Sequence, residues 1–192
     1  MTLHNSPIAW LGAALMLAAA ATCVAKDPAG ADEDRTIAIA DGKLHLKAPA
    51  AWVRKQPASA IVEHEFTVPT SEGDSGTGRV TVMGAGGGVE ANTDRWFGQF
   101  SQPDGGSTKQ RAKTKKLKVA GQDVHLVDVS GTFKDQRGPF APAVERKKYR
   151  MLAAIIESPG QGSTFIKFTG PERTVADHEK AFVEMIEGMQ AK

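Results

Sequence analysis

Cysteine is nearly absent from this sequence, since Cys23 is the only one. It lies within residues 1–25, which contain no Lys, Arg, Asp or Glu but include an apolar run at 10–21. That run is shorter than the roughly 20 residues that a membrane-spanning helix needs, and it is typical of a secretory signal peptide. Residues 1–25 are therefore predicted to be a signal peptide. Their removal excludes disulfide bonds and thiol chemistry from the mature chain.

Two outcomes of processing are open for this segment. Cys23, Val24 and Ala25 form an A-x-A-like cleavage pattern, so cleavage near Ala25 predicts a secreted or periplasmic protein. The alternative is lipoprotein processing, which would leave the mature chain anchored through a lipid on Cys23. No apolar run after Ala25 approaches the length of a membrane span, so no transmembrane segment is expected beyond the signal peptide.

An excess of charge is also lacking. The chain has 24 Lys and Arg against 22 Asp and Glu, a net charge of +2, which argues against a specific nucleic-acid binder.

Residues 26–35 are polar and are predicted to be a flexible tether. Residues 36–192 are long enough for one domain with its own core, and we find no internal repeat.

Alternating apolar residues and turn signals predict an antiparallel sheet. Asp41-Gly42 favours a type I′ hairpin between 36–40 and 43–47, and Gly121-Gln122 a type II′ hairpin that places Val119 opposite Val124. Residues 149–156 are almost continuously apolar, which predicts a central strand covered on both faces and paired with 164–168. Residues 101–114 and 134–146 are expected to be long loops.

Helical spacing predicts two helices. Asn92 or Thr93 is expected to cap a short helix that directs Trp96 and Phe97 towards the core, and Thr174 to cap the C-terminal helix. The predicted fold class is α+β, a single antiparallel sheet flanked by helices.

Several landmarks occur in an order that resembles a known fold family. They are LHLKAPAAW at 44–52, NTDRWFGQF at 92–100, VAG at 119–121, VSGT at 129–132 and FTGP at 168–171. In this order they resemble secreted bacterial proteins of the PsbP-like fold, which is shared by the photosystem II protein PsbP and the Ran-binding Mog protein. The resemblance covers about residues 36–190. It implies an α/β/α sandwich and a binding or scaffolding role without catalysis, and it transfers no functional residue.

No motif in the sequence predicts catalysis, a cofactor or a metal. The glycine-rich stretch 84–88 lacks the spacing of a dinucleotide or phosphate loop, and no Gly-x-Ser-x-Gly elbow occurs. His45 and His125 could meet across a sheet, but no pair of histidines has metal-ligand spacing. Glu63 and Glu65 share a strand face, as acidic residues on solvated faces commonly do.

One segment is unusually basic and is the candidate contact for an anionic partner. Residues 109–118, here called the basic segment, contain six basic residues and no acidic one: Lys109, Arg111, Lys113, Lys115, Lys116 and Lys118. If the segment is extended, Lys109, Arg111, Lys113 and Lys115 lie on one side and would attract polyanions or an acidic protein. The alternative is a solvated edge strand, which lysines protect from pairing with other chains.

A second candidate contact is the proline-rich loop that begins at Arg137. It carries Phe140 between Pro139 and Pro142. Phe140 could present a rigid contact to a partner or fold back on the core.

The sequence thus predicts a secreted or envelope-associated, non-catalytic binding or scaffold domain, whose partner is an unknown protein or anionic surface of the envelope. The alternative is a hydrolase-like enzyme with a site assembled from residues distant in sequence.

Overall fold

The structure is a computed structural model, and it describes residues 1–2, 35–136 and 141–192. Residues 3–25 of the predicted signal peptide, including Cys23, and the loop residues Arg137 and Phe140 lie outside the described residues. Among the described residues, no helix has both the length and the apolar character needed to cross a membrane.

Strands dominate the described chain, and the helices are short. The strands are β1 (Thr36–Ile39), β2 (Leu44–Lys47), β3 (Val53–Lys55), β4 (His64–Val68), β5 (Gly78–Ala85), β6 (Phe100–Ser101), β7 (Lys113–Val119), β8 (Gln122–Asp135), β9 (Val144–Ser158), β10 (Gly162–Pro171) and β11 (Gln190–Ala191). The helices are α1 (Val89–Phe97), α2 (Thr108–Arg111), α3 (Glu172–Asp177) and α4 (Glu179–Glu187).

The strands form two antiparallel sheets, which corrects the expectation of a single sheet. The large sheet has the order β3-β4-β5-β10-β9-β8-β6, with β7 also paired to β8, and the small sheet has the order β1-β2-β11. The β1–β2 hairpin does not join the large sheet because its apolar side, which carries Ile37, Ile39, Leu44 and Leu46, packs in the core. The α+β class and the antiparallel pairing are as predicted.

Two apolar clusters pack on opposite faces of the large sheet. In the first, the small sheet and α4 cover residues such as Phe66, Val80 and Phe168. In the second, Trp96 and Phe97 of α1 cover the other face. Because both faces are covered, residues 151–156 of β9 are buried, as the continuous apolar run predicted.

Of the two predicted hairpins, the β1–β2 hairpin has the predicted register and the β7–β8 hairpin does not, and the residues of each turn explain why. Asp41 and Gly42 both have positive φ, as a type I′ turn requires, and Ile39 pairs with Leu44. In the second hairpin Ala120 and Gly121 have positive φ, so the turn lies one residue earlier than predicted. The predicted register is therefore wrong by two residues, because Val119 pairs with Gln122 and not with Val124.

The predicted caps and loops are also corrected. Asn92 and Thr93 lie inside α1, which begins at Val89, and Asn92 donates hydrogen bonds to the backbone of Gly86 and Gly88. Thr174 lies inside α3, where its backbone N–H and hydroxyl both bond to Asp74 at 2.7 Å. Asp74 is 100 residues away in the chain, so local spacing could not reveal this cap.

The predicted long loops are shortened by regular structure. Helix α2 occupies part of 101–114, and β8 and β9 extend into 134–146. A β-bulge interrupts the β8–β9 pairing, where Lys147 and Lys148 lie opposite one residue of β8. Lys148 has a φ of 55°. The bulge reverses the alternation, so that Arg146, and not Lys147, lies on the same side of the sheet as Phe133.

We expect Lys148→Gly to stabilise the protein slightly. The left-handed conformation costs a non-glycine residue about 1–2 kcal/mol. Glycine lowers the free energy of unfolding by about 0.5–1 kcal/mol, because its backbone loses more conformational freedom on folding. The free energy of unfolding, measured by urea denaturation, should therefore rise by about 0.5–1 kcal/mol. Lys147→Gly is the matched control, because φ is not positive at Lys147, and it should lower stability. Equal losses in both variants would contradict this account.

Candidate ligand site on the sheet face

Helix α1 covers only part of its face of the large sheet, and a cavity of about 170 Å³ lies beside it. We call it the Lys167 cavity. Its floor consists of alternate residues of adjacent strands, and its wall includes Gln99, which follows α1. The lining residues are Thr77, Arg79, Thr81, Met83, Gln99, Phe133, Asp135, Gln136, Tyr149, Lys167 and Thr169.

Lys167 lies at the centre of this floor, directly opposite Thr81 of β5. Its ammonium group donates a hydrogen bond to Gln99 Oε1 at 3.2 Å and lies 5.3 Å from the centre of the Trp96 ring. Among residues 35–136 and 141–192, no carboxylate forms an ion pair with it. Burial, followed by repulsion from Arg95 and Arg79, lowers the pKa of Lys167 to about 8.

The other charges at the cavity are paired. Arg79 forms a bidentate ion pair with Glu65, with distances of 2.8 and 2.7 Å. This hydrogen bonding to Glu65 raises the pKa of Arg79 despite partial burial. Arg146 Nε lies 3.4 Å from Asp135 Oδ2, a contact that the bulge at Lys148 makes possible. Lys167 is thus the cation without a counter-charge in the described part of the cavity.

Aromatic and hydroxyl groups complete the lining. The rings of Phe133 and Tyr149 stack with 6.1 Å between their centres and 8° between their planes. Within the described chain, the hydroxyls of Thr81, Thr169 and Tyr149 have no hydrogen-bond partner. The cavity therefore offers one ammonium group and several neutral hydrogen-bonding groups to a bound molecule.

The structure does not bring the residues of the basic segment into one strip. Lys109 and Arg111 lie in α2 and pair with Asp94 at 2.7 Å and with Asp104 at 2.5 Å. The predicted alternation from 109 to 115 is therefore wrong, because the first part of the segment is helical.

The rest of the basic segment forms β7, which lies at the edge of the large sheet. Lys116 and Lys118 lie 3.0 and 3.5 Å from Asp123. Lys113 and Lys115 lie on the opposite side of β7 and have no ion-pair partner among the described residues. This arrangement matches the protected edge strand that the sequence left as an alternative. A role in binding a partner stays a prediction for Lys113 and Lys115.

The other candidates from the sequence are engaged in structural contacts. His45 and His125 lie in different sheets and do not meet. His125 Nε2 contacts Glu157 at 2.7 Å, and His64 contacts Arg54 and the carbonyl of Ala38. Glu63 accepts a hydrogen bond from the backbone of Gly84, and Glu65 binds Arg79, so the two carboxylates do not act as a pair. In the described chain, no group of three metal-ligating side chains is present.

Sequence reasoning missed the Lys167 cavity. The available signal was one lysine in the apolar strand segment FIKF at 165–168, on the same strand face as Phe165. That signal could not identify Arg79, Tyr149 or Asp135 as neighbours, because strand order and the bulge bring these residues together.

No protein-family model matches the chain, and the search of curated proteins gave no match. Among solved structures, the chain is similar to the solution structure of cyanobacterial PsbP (CyanoP) from Synechocystis sp. PCC 6803. The identity is 10%, the match covers 82% of this chain and 91% of that one, and the TM-score is 0.49. A crystal structure from Bacteroides thetaiotaomicron VPI-5482 matches at 11% identity with a TM-score of 0.42.

The second match covers 82% of this chain and 48% of the Bacteroides chain, so this chain spans about half of that protein's length. The PsbP-like resemblance of the sequence is thus found again in the structural comparison.

Proposed function

We propose that this protein is a secreted or envelope-associated, non-catalytic binding domain that holds a small anionic ligand in the Lys167 cavity. The observation that carries the proposal is the ammonium group of Lys167, which is mostly buried and has no carboxylate partner in the described chain. A buried cation without a counter-charge destabilises the fold, and a bound anion offsets that cost.

The charge arrangement favours binding over catalysis. Acid–base or nucleophilic chemistry needs at least two groups that converge on one reacting atom. At the cavity, Arg79 and Asp135 are each held in an ion pair with another residue. Lys167 is therefore left as a single charged contact, which suits electrostatic anchoring of a ligand. The enzyme alternative stays a prediction that no particular observation favours.

The proposal predicts that anion binding depends on Lys167. Isothermal titration of the mature domain with a panel of small carboxylates, phosphate and sulfate should detect binding at pH 7. Lys167→Met, which keeps an unbranched side chain and removes the charge, should weaken that binding at least tenfold. Lys180→Met is the matched control, because the Lys180 side chain is 87% exposed on α4, which packs on the other face of the sheet. Equal weakening in both variants, or no binding of any anion, would refute the proposal.

A further inference from the structure

The charges around the Lys167 cavity limit the charge of its ligand. Arg79 is neutralised by Glu65, and Asp135 is contacted by Arg146, so these pairs contribute no net charge. Lys167 contributes one positive charge. Arg95 of α1 also repels Lys167, although its side chain is exposed and solvent weakens this repulsion. One negative charge on the ligand pairs with Lys167, whereas a second would lie near the Asp135 carboxylate, whose counter-charge Arg146 is already engaged.

The volume of the cavity limits the size of the ligand. A water molecule occupies about 30 Å³ of liquid volume. The cavity of 170 Å³ therefore accommodates about six non-hydrogen atoms. The stacked rings of Phe133 and Tyr149 form one side, so the ligand does not extend between them.

The hydrogen-bonding groups indicate what the ligand carries besides its charge. Thr81 lies opposite Lys167 on β5, Thr169 lies two residues beyond Lys167 on β10, and both line the cavity together with Tyr149. These hydroxyls both donate and accept, so they suit a neutral hydroxyl substituent on the ligand. An apolar substituent would leave them without partners and lose affinity.

We infer that the ligand of the Lys167 cavity is a small organic hydroxymonocarboxylate, whose carboxylate binds the ammonium group of Lys167 and whose hydroxyl groups bind the surrounding threonines. The inference rests on the proposed function and names its ligand class. Binding the carboxylate keeps Lys167 protonated, so ligand binding and proton uptake occur together when Lys167 is partly deprotonated in the free protein.

Charged and titratable groups face Lys167 from each neighbouring element. They are Arg79 of β5, Arg95 of α1, Asp135 of β8 and Tyr149 of β9, together with Glu65 of β4, which is the ion-pair partner of Arg79. Lys167→Met leaves all five in place, so the difference between the two proteins isolates the contribution of Lys167.

The experiment compares four probes of graded chemistry by isothermal titration. Glycerate carries one carboxylate and two hydroxyls, malonate has the same number of non-hydrogen atoms but two carboxylates, propionate has no hydroxyl, and inorganic phosphate represents a free inorganic anion. Each titration is repeated in two buffers with different ionisation enthalpies, at pH 6.5 and pH 8, so that proton uptake can be measured.

Glycerate is expected to bind at least tenfold more tightly than malonate, propionate or phosphate. Its binding should take up about half a proton at pH 8 and almost none at pH 6.5, because Lys167 has a pKa of about 8 in the free protein. Thr81→Val together with Thr169→Val should reduce the preference for glycerate over propionate while leaving propionate affinity within about twofold.

Three results would overturn the inference. Phosphate or malonate binding as tightly as glycerate would reject the monocarboxylate while leaving an anion site in place. Glycerate binding without proton uptake at pH 8 would reject Lys167 as its contact. Failure of every probe and of the wider anion panel would reject the proposed function itself.

Discussion

Phe168→Ala is expected to lower the free energy of unfolding by about 3–5 kcal/mol, which is a large share of the roughly 5–15 kcal/mol of a typical domain. The Phe168 side chain is 0% exposed. Its ring lies 5.7 Å from that of Trp52 and 6.0 Å from that of Phe182 in α4. It also packs directly over Gly78, where a Cβ atom would come within 2.5 Å of the ring.

The loss should be large because the neighbours cannot close the space. Phe168 lies in β10, which is hydrogen-bonded on both sides by β5 and β9, so the backbone cannot shift inwards. Urea denaturation measures the change, and Ile61→Ala is the control because Ile61 is 71% exposed and should change stability by less than about 0.5 kcal/mol. A loss of about 1 kcal/mol or less in Phe168→Ala would contradict the core described here.

The stability of the protein is expected to rise with pH between about 8 and 10.5, and Lys167→Met should abolish this rise. The pKa of Lys167 is about 8 in the folded protein against 10.5 as its ordinary value. Between these values the unfolded chain binds more protons than the folded one, so the free energy of unfolding increases with pH. The difference in pKa corresponds to about 3 kcal/mol in total.

At neutral pH the natural protein and the Lys167→Met variant are also expected to differ in stability. Below pH 8 Lys167 is charged in both states, and its burial lowers the stability of the folded protein. Replacing it with methionine removes that cost but also loses the contact with Trp96, worth about 0.5–1 kcal/mol. Lys167→Met should therefore be more stable than the natural protein by about 2 kcal/mol at pH 7.

Urea denaturation at pH 7, 8, 9 and 10 tests this comparison. All other side chains are the same in both proteins, so the difference between the two curves isolates Lys167. The difference should shrink steadily above pH 8. A difference that stays constant with pH would mean that Lys167 is charged to the same degree in the folded and unfolded states.

Local pattern predicted most of the strands but not how they assemble. The alternation of Val80 and Val82 and the apolar run at 149–156 located strands correctly, because burial on one or both faces leaves a direct record in the sequence. Asp41-Gly42 identified its hairpin because type I′ turns need residues that tolerate positive φ.

The errors arise where distant residues decide local structure. Ala120 adopts positive φ, although alanine does not favour that conformation. The turn of the second hairpin therefore lies one residue earlier than predicted, and the strand register differs from the predicted one. Asp74 caps α3 from a loop between β4 and β5, so Thr174 lies within the helix and does not cap it. The apolar side of the β1–β2 hairpin is compatible with either joining a sheet edge or covering a sheet face.

The Lys167 cavity illustrates the same limit for the functional site. Lys167, Arg79, Asp135 and Tyr149 belong to four strands, and their proximity depends on strand order. The basic segment is recognisable in the sequence because its six basic residues lie within ten positions. The structure pairs four of its six cations with acidic residues, whereas Lys167, alone in an apolar strand, has none in the described chain.

The bulge at Lys148 also bears on how the length of this chain could vary among related proteins. Because strand residues alternate between faces, deleting one residue elsewhere in β9 would transfer every residue beyond the deletion to the wrong side. Deleting one of the two bulge residues, Lys147 or Lys148, would instead restore regular pairing and leave Arg146 beside Asp135. In an alignment of relatives, a one-residue gap within this strand is therefore expected at 147–148, with the charges of the cavity preserved on either side of it.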